Sequence, residues 1–591
     1  RITSDLTIPA DVTLTVAAGT TVFFDPNTKI TVEGRLVAEA TRYRRIRFTR
    51  TPELGGTWNG LQFVHSQQDS QIRYAVIEYG RTNDGMVGLE NSELLLDHVA
   101  FEHTDLRRIR TIDSSLVVRD CIFSDMFAPG EPPSTDNFSE HIWGRGVPTT
   151  GRFIIENSVF GRTPGHNDAI DFDGAIRPDA IPQILNNVFL GGGDDALDLE
   201  SDAHIEGNVF QNYVKDRFNN APRQSNVISA GRGRDYVVVR NVFHHIQHVA
   251  QIKDGAFMRF ENNTVVDANA SVFYFEIPGQ TLSPGRGVQI DSCIFWQSPT
   301  LLGDLYVNDV EWGTTEITIE RCLLPTDWHE LGEGNLDADP LFVGADDFHL
   351  KSMSAARGAG RLGLDMGAFV PAGVSVEGEP QGWTHRTQVT LHVGGPGITE
   401  YVYSVNDPDG SWSAETPVDV PISLTGLMDD QSYTIYVRGR NSAGVWQDQP
   451  TASQTWTVDS SYRRLVLSEI LVVNETYDYQ GSLPALVELY YDGRSAISLS
   501  GMRLSDDSEQ SDKFVFPVDV RMNPGDHLVL SADNDLGFSL DPRGGEIYLC
   551  DRDGSLIDSV RFGCQLPDAS IARTPPDGEW RLAVPTLGFA N

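Results

Sequence analysis

The segment Asn167-Asp168-Ala169-Ile170-Asp171-Phe172-Asp173 returns 27 positions later as Asp194-Asp195-Ala196-Leu197-Asp198-Leu199-Glu200. Side chains of an extended strand alternate between its two faces. The apolar residues of each copy therefore point one way and the acidic residues the other. If the two strands stack in register about 4.8 Å apart, their outward carboxylates form one patch.

This patch consists of Asp171, Asp173, Asp198 and Glu200. Carboxylates packed so closely must either raise their pKa values or be neutralised by cations or basic side chains. Calcium takes six to eight oxygen ligands and is the simplest partner, so the sequence predicts Ca²⁺ bound by these four residues. A solvated acidic face with no bound ion is the alternative interpretation.

The same short pattern extends in both directions from this segment. Each unit ends in a largely apolar triplet, and Phe160, Phe189 and Phe210 mark successive units 29 and 21 positions apart. Repeats of this length with strand-like composition indicate a β-solenoid. The triplets are Ala75-Val76-Ile77, Val99-Ala100-Phe101, Cys121-Ile122-Phe123, Ser158-Val159-Phe160, Asn187-Val188-Phe189, Asn208-Val209-Phe210, Asn241-Val242-Phe243, Cys293-Ile294-Phe295 and Cys322-Leu323-Leu324.

Small polar residues open the later triplets: Cys121, Ser158, Asn187, Asn208, Asn241, Cys293 and Cys322. Stacked at a bend, such side chains hydrogen-bond to backbone groups and to their copies on neighbouring turns. The arrangement resembles the asparagine ladder of right-handed parallel β-helix proteins of the pectate-lyase-like and polygalacturonase-like superfamily. The resemblance implies an all-β chain whose residues 1–371 form a right-handed parallel β-helix.

Two further modules follow. Short alternating strands such as Gln388–Val393 and Tyr433–Gly439 predict a β-sandwich over residues 372–459. It resembles fibronectin type III and immunoglobulin-like modules of bacterial surface proteins. Residues 460–591, with Leu467–Asn474, Leu499–Asp507 and Asn523-Pro524-Gly525-Asp526, resemble the lamin tail domain, an immunoglobulin-like sandwich. That resemblance implies an accessory or anchoring module without catalysis.

The net charge and composition of the chain limit the classes of partner that the protein can bind. The 591 residues carry a formal net charge of −38, which argues against a nucleic-acid partner because phosphate groups would be repelled. No run of 18 apolar residues exists, so we expect no membrane span. Five cysteines are too few for a disulfide scaffold.

Further candidates lie after the acidic repeat. Taking Ile170, Leu197, Ile228 and Ile252 as inward residues places Asp171, Asp198, Ser229 and Lys253 in one outward column. On that spacing Lys253 lies about 10 Å from the nearest aspartate of the column. Arg232, Arg234 and His248 are close in sequence and are candidates for substrate binding.

The superfamily resemblance gives these residues two sets of roles. Pectate-lyase-like enzymes combine calcium with a basic residue, which implies Asp171, Asp198 and Glu200 as ligands and Lys253 as base. Polygalacturonase-like enzymes carry catalytic motifs similar to Asn167-Asp168, Gly193-Asp194-Asp195 and Gln251-Ile252-Lys253. Here Asn226-Val227-Ile228 stands where their histidine motif belongs, and Gln251 replaces their arginine. The candidate catalytic residues are accordingly Asp168, Asp194, Asp195 and Lys253.

These features predict a secreted or cell-surface bacterial protein with a binding, adhesive or structural role, associated with carbohydrate and stabilised by a cation. Its expected partner is a polysaccharide or a cell-surface or matrix component, with self-association as a further expectation. The alternative is a polysaccharide lyase or glycoside hydrolase that acts on an acidic uronate polysaccharide. A phage tailspike-like trimer is a third class, which the lamin-tail-like module disfavours.

Overall fold

The computed structural model describes residues 1–126, 139–215, 225–275, 283–303, 315–380, 382–384, 386–459, 464–493, 495–574 and 578–590. The protein is 45% strand and 2% helix, as the all-β prediction requires. It divides into two compact units, Arg1–Asn335 and Leu336–Asn591. The predicted domain boundaries at 371 and 459 remain predictions.

The first unit is a parallel β-helix-like solenoid, which confirms the predicted fold. Over the described residues, successive strands enter three parallel sheets in turn, so that each coil adds one rung to each sheet. The first sheet has 12 strands: Leu6–Ile8, Ile30–Val32, Leu61–Val64, Val87–Glu90, Ile109–Ile112, Ile142–Arg145, Ile170–Asp173, Leu197–Glu200, Asn226–Ala230, His248–Ile252, Phe273–Tyr274 and Leu302–Gly303.

The other two sheets complete the coils. The second has 12 described strands: Thr13–Val16, Arg35–Glu39, Ser70–Arg73, Glu93–Asp97, Ser115–Arg119, Phe153–Glu156, Pro182–Leu185, Ala203–Glu206, Asp235–Val239, Phe257–Glu261, Gly287–Asp291 and Glu316–Glu320. The third has 11: Thr21–Phe24, Ile46–Arg50, Ala75–Glu78, Ala100–Glu102, Ile122–Phe123, Val159–Phe160, Val188–Phe189, Val209–Gln211, Val242–Ile246, Thr264–Ala268 and Ile294–Trp296.

The predicted polar ladder runs through the buried corner between the second and third sheets. Asn187, Asn208, Asn241 and Asn263 each donate from Nδ2 to a backbone carbonyl of the preceding coil, at 2.8 to 3.0 Å. The Asn208 amide also donates to Asn241 Oδ1 at 2.9 Å. These bonds satisfy buried backbone groups that the bend removes from the sheets. The prediction is confirmed at Cys121, Ser158, Cys293 and Cys322, whose side chains accept bonds from backbone nitrogens at the same corner.

Asn263 and Asn335 belong to the ladder but were not predicted. Asn263 precedes Thr264-Val265, which lacks the phenylalanine that marks the other triplets. Asn335 accepts from the backbone nitrogen of Cys322 at 3.0 Å and closes the ladder at the end of the first unit. All five cysteines are free, and those at positions 293 and 322 form no disulfide.

The residue before each ladder position turns the chain. Asn157, Asn186, Gly207 and Asn262 have φ between 49° and 70°, the left-handed region that glycine and asparagine adopt most readily. Two residues after the first three of these ladder positions, phenylalanine rings stack inside the solenoid, and the ring centroids of Phe160 and Phe189, and of Phe189 and Phe210, are 4.7 Å apart. The turn, the ladder and the stack together fix the register of every coil in this region.

The second unit contains antiparallel sheets, as predicted for the C-terminal part. Its sandwich-like sheets before residue 460 are Ser375–Glu377, Gln388–Gly394 and Ile422–Thr425; Gly382–Thr384, Trp456–Val458 and Gln431–Tyr433; and Thr416–Pro417, Ile398–Val405, Ile435–Asn441 and Thr451–Ala452. Gly382–Thr384 pairs in parallel with its neighbour. Buried Leu391, Tyr401, Ile435 and Trp456 are part of the core between them.

The remaining sheets contain a separate hydrophobic core around Leu467, Leu489 and Leu549. A five-stranded sheet consists of His527–Ser531, Leu486–Asp492, Arg464–Leu471, Ser570–Thr574 and Glu579–Ala583. Two further sheets belong to this part of the described chain. One has two strands, Ile497–Ser498 and Arg521–Met522, and the other has four, Phe514–Val515, Arg503–Ser505, Gly545–Cys550 and Leu556–Phe562. The described helical segments are the 3₁₀ turns Thr326–Leu331 and Arg361–Gly363 and a π-helical turn, Ala532–Leu536.

Candidate functional site

A column of outward side chains crosses the first sheet, one from each successive strand; we name it the groove column. Its members are Arg110, Trp143, Asp171, Asp198, Ser229, Gln251 and Tyr274. Strand parity places them opposite the buried inward residues such as Ile170 and Leu197. The predicted register of Asp171, Asp198 and Ser229 is confirmed.

The fourth predicted rung was wrong. Ser229 pairs with Gln251, because Ile228 lies opposite Ala250 and not opposite Ile252. Lys253 is two residues further along, just beyond the strand end, and a shift of two leaves it on the same face. Its ammonium group donates a hydrogen bond to the Ser229 hydroxyl on the preceding coil at 2.8 Å.

Asp171 and Asp198 are adjacent, partly buried carboxyl groups of the column. Burial and then the neighbouring charge of Asp198 raise the pKa of Asp171 to about 8. Burial also raises the pKa of Asp198, while Lys253 and the Ser229 hydroxyl act in the opposite direction. At neutral pH Asp171 is thus a proton donor beside a second carboxyl group.

Asp168, Asp194 and Asp195 gather at the beginning of the same two strands. Asp168 accepts from the backbone nitrogen of Asp195 at 2.9 Å, and Asp195 accepts from Asn226 Nδ2 at 2.8 Å. Burial, followed by nearby carboxylates, raises the pKa values of Asp168 and Asp195 well above the usual range. Asp194 accepts from Lys215 Nζ at 3.2 Å.

Arg232 binds the outer members of the predicted calcium site. Its guanidinium lies 3.0 Å from Asp173 and 2.5 Å from Glu200. The arginine therefore supplies part of the neutralisation that the sequence assigned to a metal ion. Coordination of calcium by Asp171, Asp173, Asp198 and Glu200 remains a prediction.

The two other predicted substrate-binding residues are not members of the groove column. His248 is buried, and its Nδ1 lies 2.8 Å from the carbonyl oxygen of Ser271. Its connection to the site is indirect, because it packs on Tyr274, whose hydroxyl donates to Asn226 at 2.8 Å. Arg234 occupies the turn after Asn226–Ala230, and its Nε is buried without a hydrogen-bond partner among the described residues. The binding roles of both residues stay predictions.

Trp143 is the residue of this site to which the sequence assigned no definite role. It pairs in register with Asp171, is partly buried, and has the guanidinium of Arg107 4.7 Å from its ring centroid. Arg107 is itself bound to Glu140 at 3.0 Å. Aligning Ile142-Trp143-Gly144-Arg145 with Ile170-Asp171-Phe172-Asp173, 28 positions later, reveals this position, but Gly144 stands where the repeat has Phe172 and interrupts the apolar alternation.

Several polar atoms at the site have no hydrogen-bond partner within the described ranges. They include Asp198 Oδ1, Gln251 Nε2 and the hydroxyl of Tyr213. Gln251 is 3% exposed and Tyr213 is fully buried. Unpaired buried polar atoms are costly, so a partner for each of these three would lower the free energy of the folded protein.

Groups close enough to share one metal ion occur elsewhere on the described solenoid. They are Glu78, Glu102 and His103, and Asp97, His98 and Asp120. Each contains a carboxylate that already has a basic partner outside the group, since Arg47 lies 2.7 Å from Glu78 and Arg73 lies 3.7 Å from Asp97.

Residues 459–564 match the family model of the Lamin Tail Domain. This match confirms the predicted lamin tail module and covers part of the second unit. Among curated proteins, none matches the chain. No helix in the described part of the chain is long and apolar enough to cross a membrane.

Proposed function

We propose that this modular β protein binds a polysaccharide along the groove column of its solenoid, at a cell surface or in an extracellular matrix. The observation that carries the proposal is the register of Trp143 beside Asp171 and Asp198. An aromatic ring offers an apolar face to a sugar ring, and adjacent carboxyl groups bind its hydroxyls. Polar and aromatic side chains continue in one line from Arg110 to Tyr274, which suits an extended chain ligand.

The second unit supports a role outside catalysis. The lamin tail module and the preceding sandwich add independent β cores to the solenoid. In this proposal they serve as accessory or anchoring modules of a secreted or cell-surface bacterial protein. Self-association and cation stabilisation belong to the same proposal, with Ca²⁺ as the cation.

The test is polysaccharide binding measured by affinity electrophoresis with neutral, acidic and basic polymers. Trp143→Ala should weaken binding by about tenfold through loss of ring stacking, whereas Trp143→Phe should retain most of it. Trp383→Ala is the matched control, because Trp383 is 49% exposed on the second unit. Equal binding by wild type and Trp143→Ala would remove the groove column from the proposal.

A second candidate function is hydrolysis or lysis of the bound glycan. Asp171 is protonated at neutral pH beside Asp198, and such paired carboxyl groups serve as acid and base in glycoside hydrolysis. Lys253, on Ser229 beside this pair, is the candidate base for a lyase. Reducing ends that disappear in Asp171→Asn would support a hydrolase, and unsaturated product that disappears in Lys253→Ala would support a lyase. If neither assay detects a product with any polymer of the same panel, polysaccharide binding without catalysis is the function that remains.

A further inference from the structure

The charges around Asp171 and Asp198 are unbalanced. Asp168, Asp194 and Asp195 lie at the beginning of the two strands that carry this pair, and Asp168 accepts from the backbone nitrogen of Asp195 at 2.9 Å. The ammonium groups that reach the cluster belong to Lys215, which binds Asp194, and Lys253, which binds Ser229. A ligand carboxylate would meet mostly acidic side chains here, whereas an ammonium group donates hydrogen bonds that the carboxyl oxygens accept.

The unpaired atoms show which partners the site lacks. Asp198 Oδ1 is a buried acceptor without a donor among the described residues. Gln251 lies next to Ser229 in the same column, and its buried Nε2 is a donor that has no acceptor there. A molecule that brings both a donor and an acceptor satisfies these atoms, which an ion alone does not.

The surroundings favour an ammonium group on a ring over a divalent metal. Arg232 already occupies Asp173 and Glu200, and Lys253 stands beside Asp198, so both repel a dication at the remaining pair about twice as strongly as a single ammonium charge. An ammonium group and the proposed Ca²⁺ therefore compete for Asp171 and Asp198. Trp143, one rung below Asp171, provides a surface for the ring that carries the ammonium group.

We infer that the acidic half of the groove column binds an amino-sugar polymer with unacetylated ammonium groups, in preference to a uronate polymer. This inference rests on the proposed glycan-binding function and names its ligand class. It replaces the uronate that the sequence alone suggested as an enzyme substrate. In the bound state the ammonium group lies at Asp171 and Asp198, and neighbouring hydroxyls meet Gln251.

The experiment uses the full chain and hexasaccharides of glucosamine, N-acetylglucosamine and galacturonic acid. Calorimetry at pH 6, with a chelator and separately with calcium, gives the three affinities. The glucosamine oligomer should bind about tenfold more tightly than the acetylated one, with the uronate weakest, and added salt should narrow the differences. The wild-type order of affinities is informative even if a variant does not fold.

Two substitutions test whether Asp198 produces the preference for the glucosamine oligomer. Asp198→Asn should bring the glucosamine and N-acetylglucosamine affinities together, while Asp69→Asn, whose side chain is 81% exposed, should leave them apart. Binding of all three sugars without charge preference, or tightest binding of the uronate with or without calcium, would overturn the inference but leave glycan binding intact. Failure of every sugar to bind would overturn both.

Discussion

Asp171 is the residue whose chemistry depends most on its surroundings. An aspartate in water has a pKa of about 4, and burial beside Asp198 moves that of Asp171 to about 8. The folded protein therefore holds a proton over a pH range in which the unfolded chain has released it. This difference links the stability of the solenoid to pH.

Asp171→Asn should make the solenoid less sensitive to alkaline pH. Because the folded pKa is raised, the free energy of unfolding falls as pH rises from about 4 to about 8. Asparagine does not titrate, so the stability that the variant gains over wild type should be larger at pH 8 than at pH 4.5 by about 4 kcal/mol. Urea unfolding in the presence of a chelator measures both values.

The control for this prediction is Asp69→Asn, a substitution at an exposed side chain. Its difference from wild type should stay the same at both pH values. An Asp171→Asn difference that is also independent of pH would contradict the assignment of a raised pKa to Asp171.

At the scale of elements, the asparagine ladder sets the bends of the coils. Asn208 accepts from the backbone nitrogen of Asn187 at 2.9 Å and donates to the carbonyl of Ile184 at 2.8 Å. It is fully buried, so water cannot replace these partners. The ladder explains why asparagine, serine and cysteine recur at this position, since each supplies a small side chain with an acceptor atom.

Asn208→Ala should destabilise the solenoid by about 3 kcal/mol, because it leaves a buried donor and a buried acceptor unsatisfied. Asn208→Ser should restore part of that loss, since Ser158 accepts from the Cys121 nitrogen at 3.1 Å in the same ladder. Thermal unfolding followed by circular dichroism gives the order of the three proteins. Equal melting temperatures for wild type and the alanine variant would show that the ladder contributes no stability.

The alternation of residues along each strand of the first sheet predicted which side chains point outward, but it predicted less well which residues of neighbouring strands lie opposite each other. The acidic residues of Ile170–Asp173 and Leu197–Glu200 point outward as expected, because strand alternation is local. The position opposite Ser229 depends on the length of chain between strands, which a single sequence does not fix. Gln251 therefore took the place predicted for Lys253.

At the scale of the whole molecule, the lamin tail module extends beyond the residues matched by the family model. Ser570–Thr574 pairs with Arg464–Leu471 inside the five-stranded sheet. Buried Glu469 accepts from the nitrogen and hydroxyl of Thr586 at 2.9 and 3.0 Å, and Leu587 packs against Leu471. The segment after residue 564 is therefore part of the folded unit.

Deletion of residues 565–591 should prevent the lamin tail module from folding cooperatively. The deletion removes two strands and leaves the Glu469 carboxylate buried without Thr586, a loss of more than about 4 kcal/mol. Limited proteolysis and calorimetry measure the effect. Deletion of residues 589–591 alone is the control and should be tolerated, since Phe589 is 75% exposed. A sharp transition for the longer deletion would contradict this account.

The sequence by itself determined the all-β class, the solenoid repeat, the ladder residues other than Asn263 and Asn335, and the lamin tail module. These follow from alternation, repeat length and local motifs, which act over short distances along the chain. Only the tertiary structure placed Trp143 beside Asp171, joined Arg232 to Asp173 and Glu200, and moved Gln251 into the groove column. Such neighbours come from different coils separated by loops of unequal length, so their contacts depend on how the coils stack and not on any local pattern.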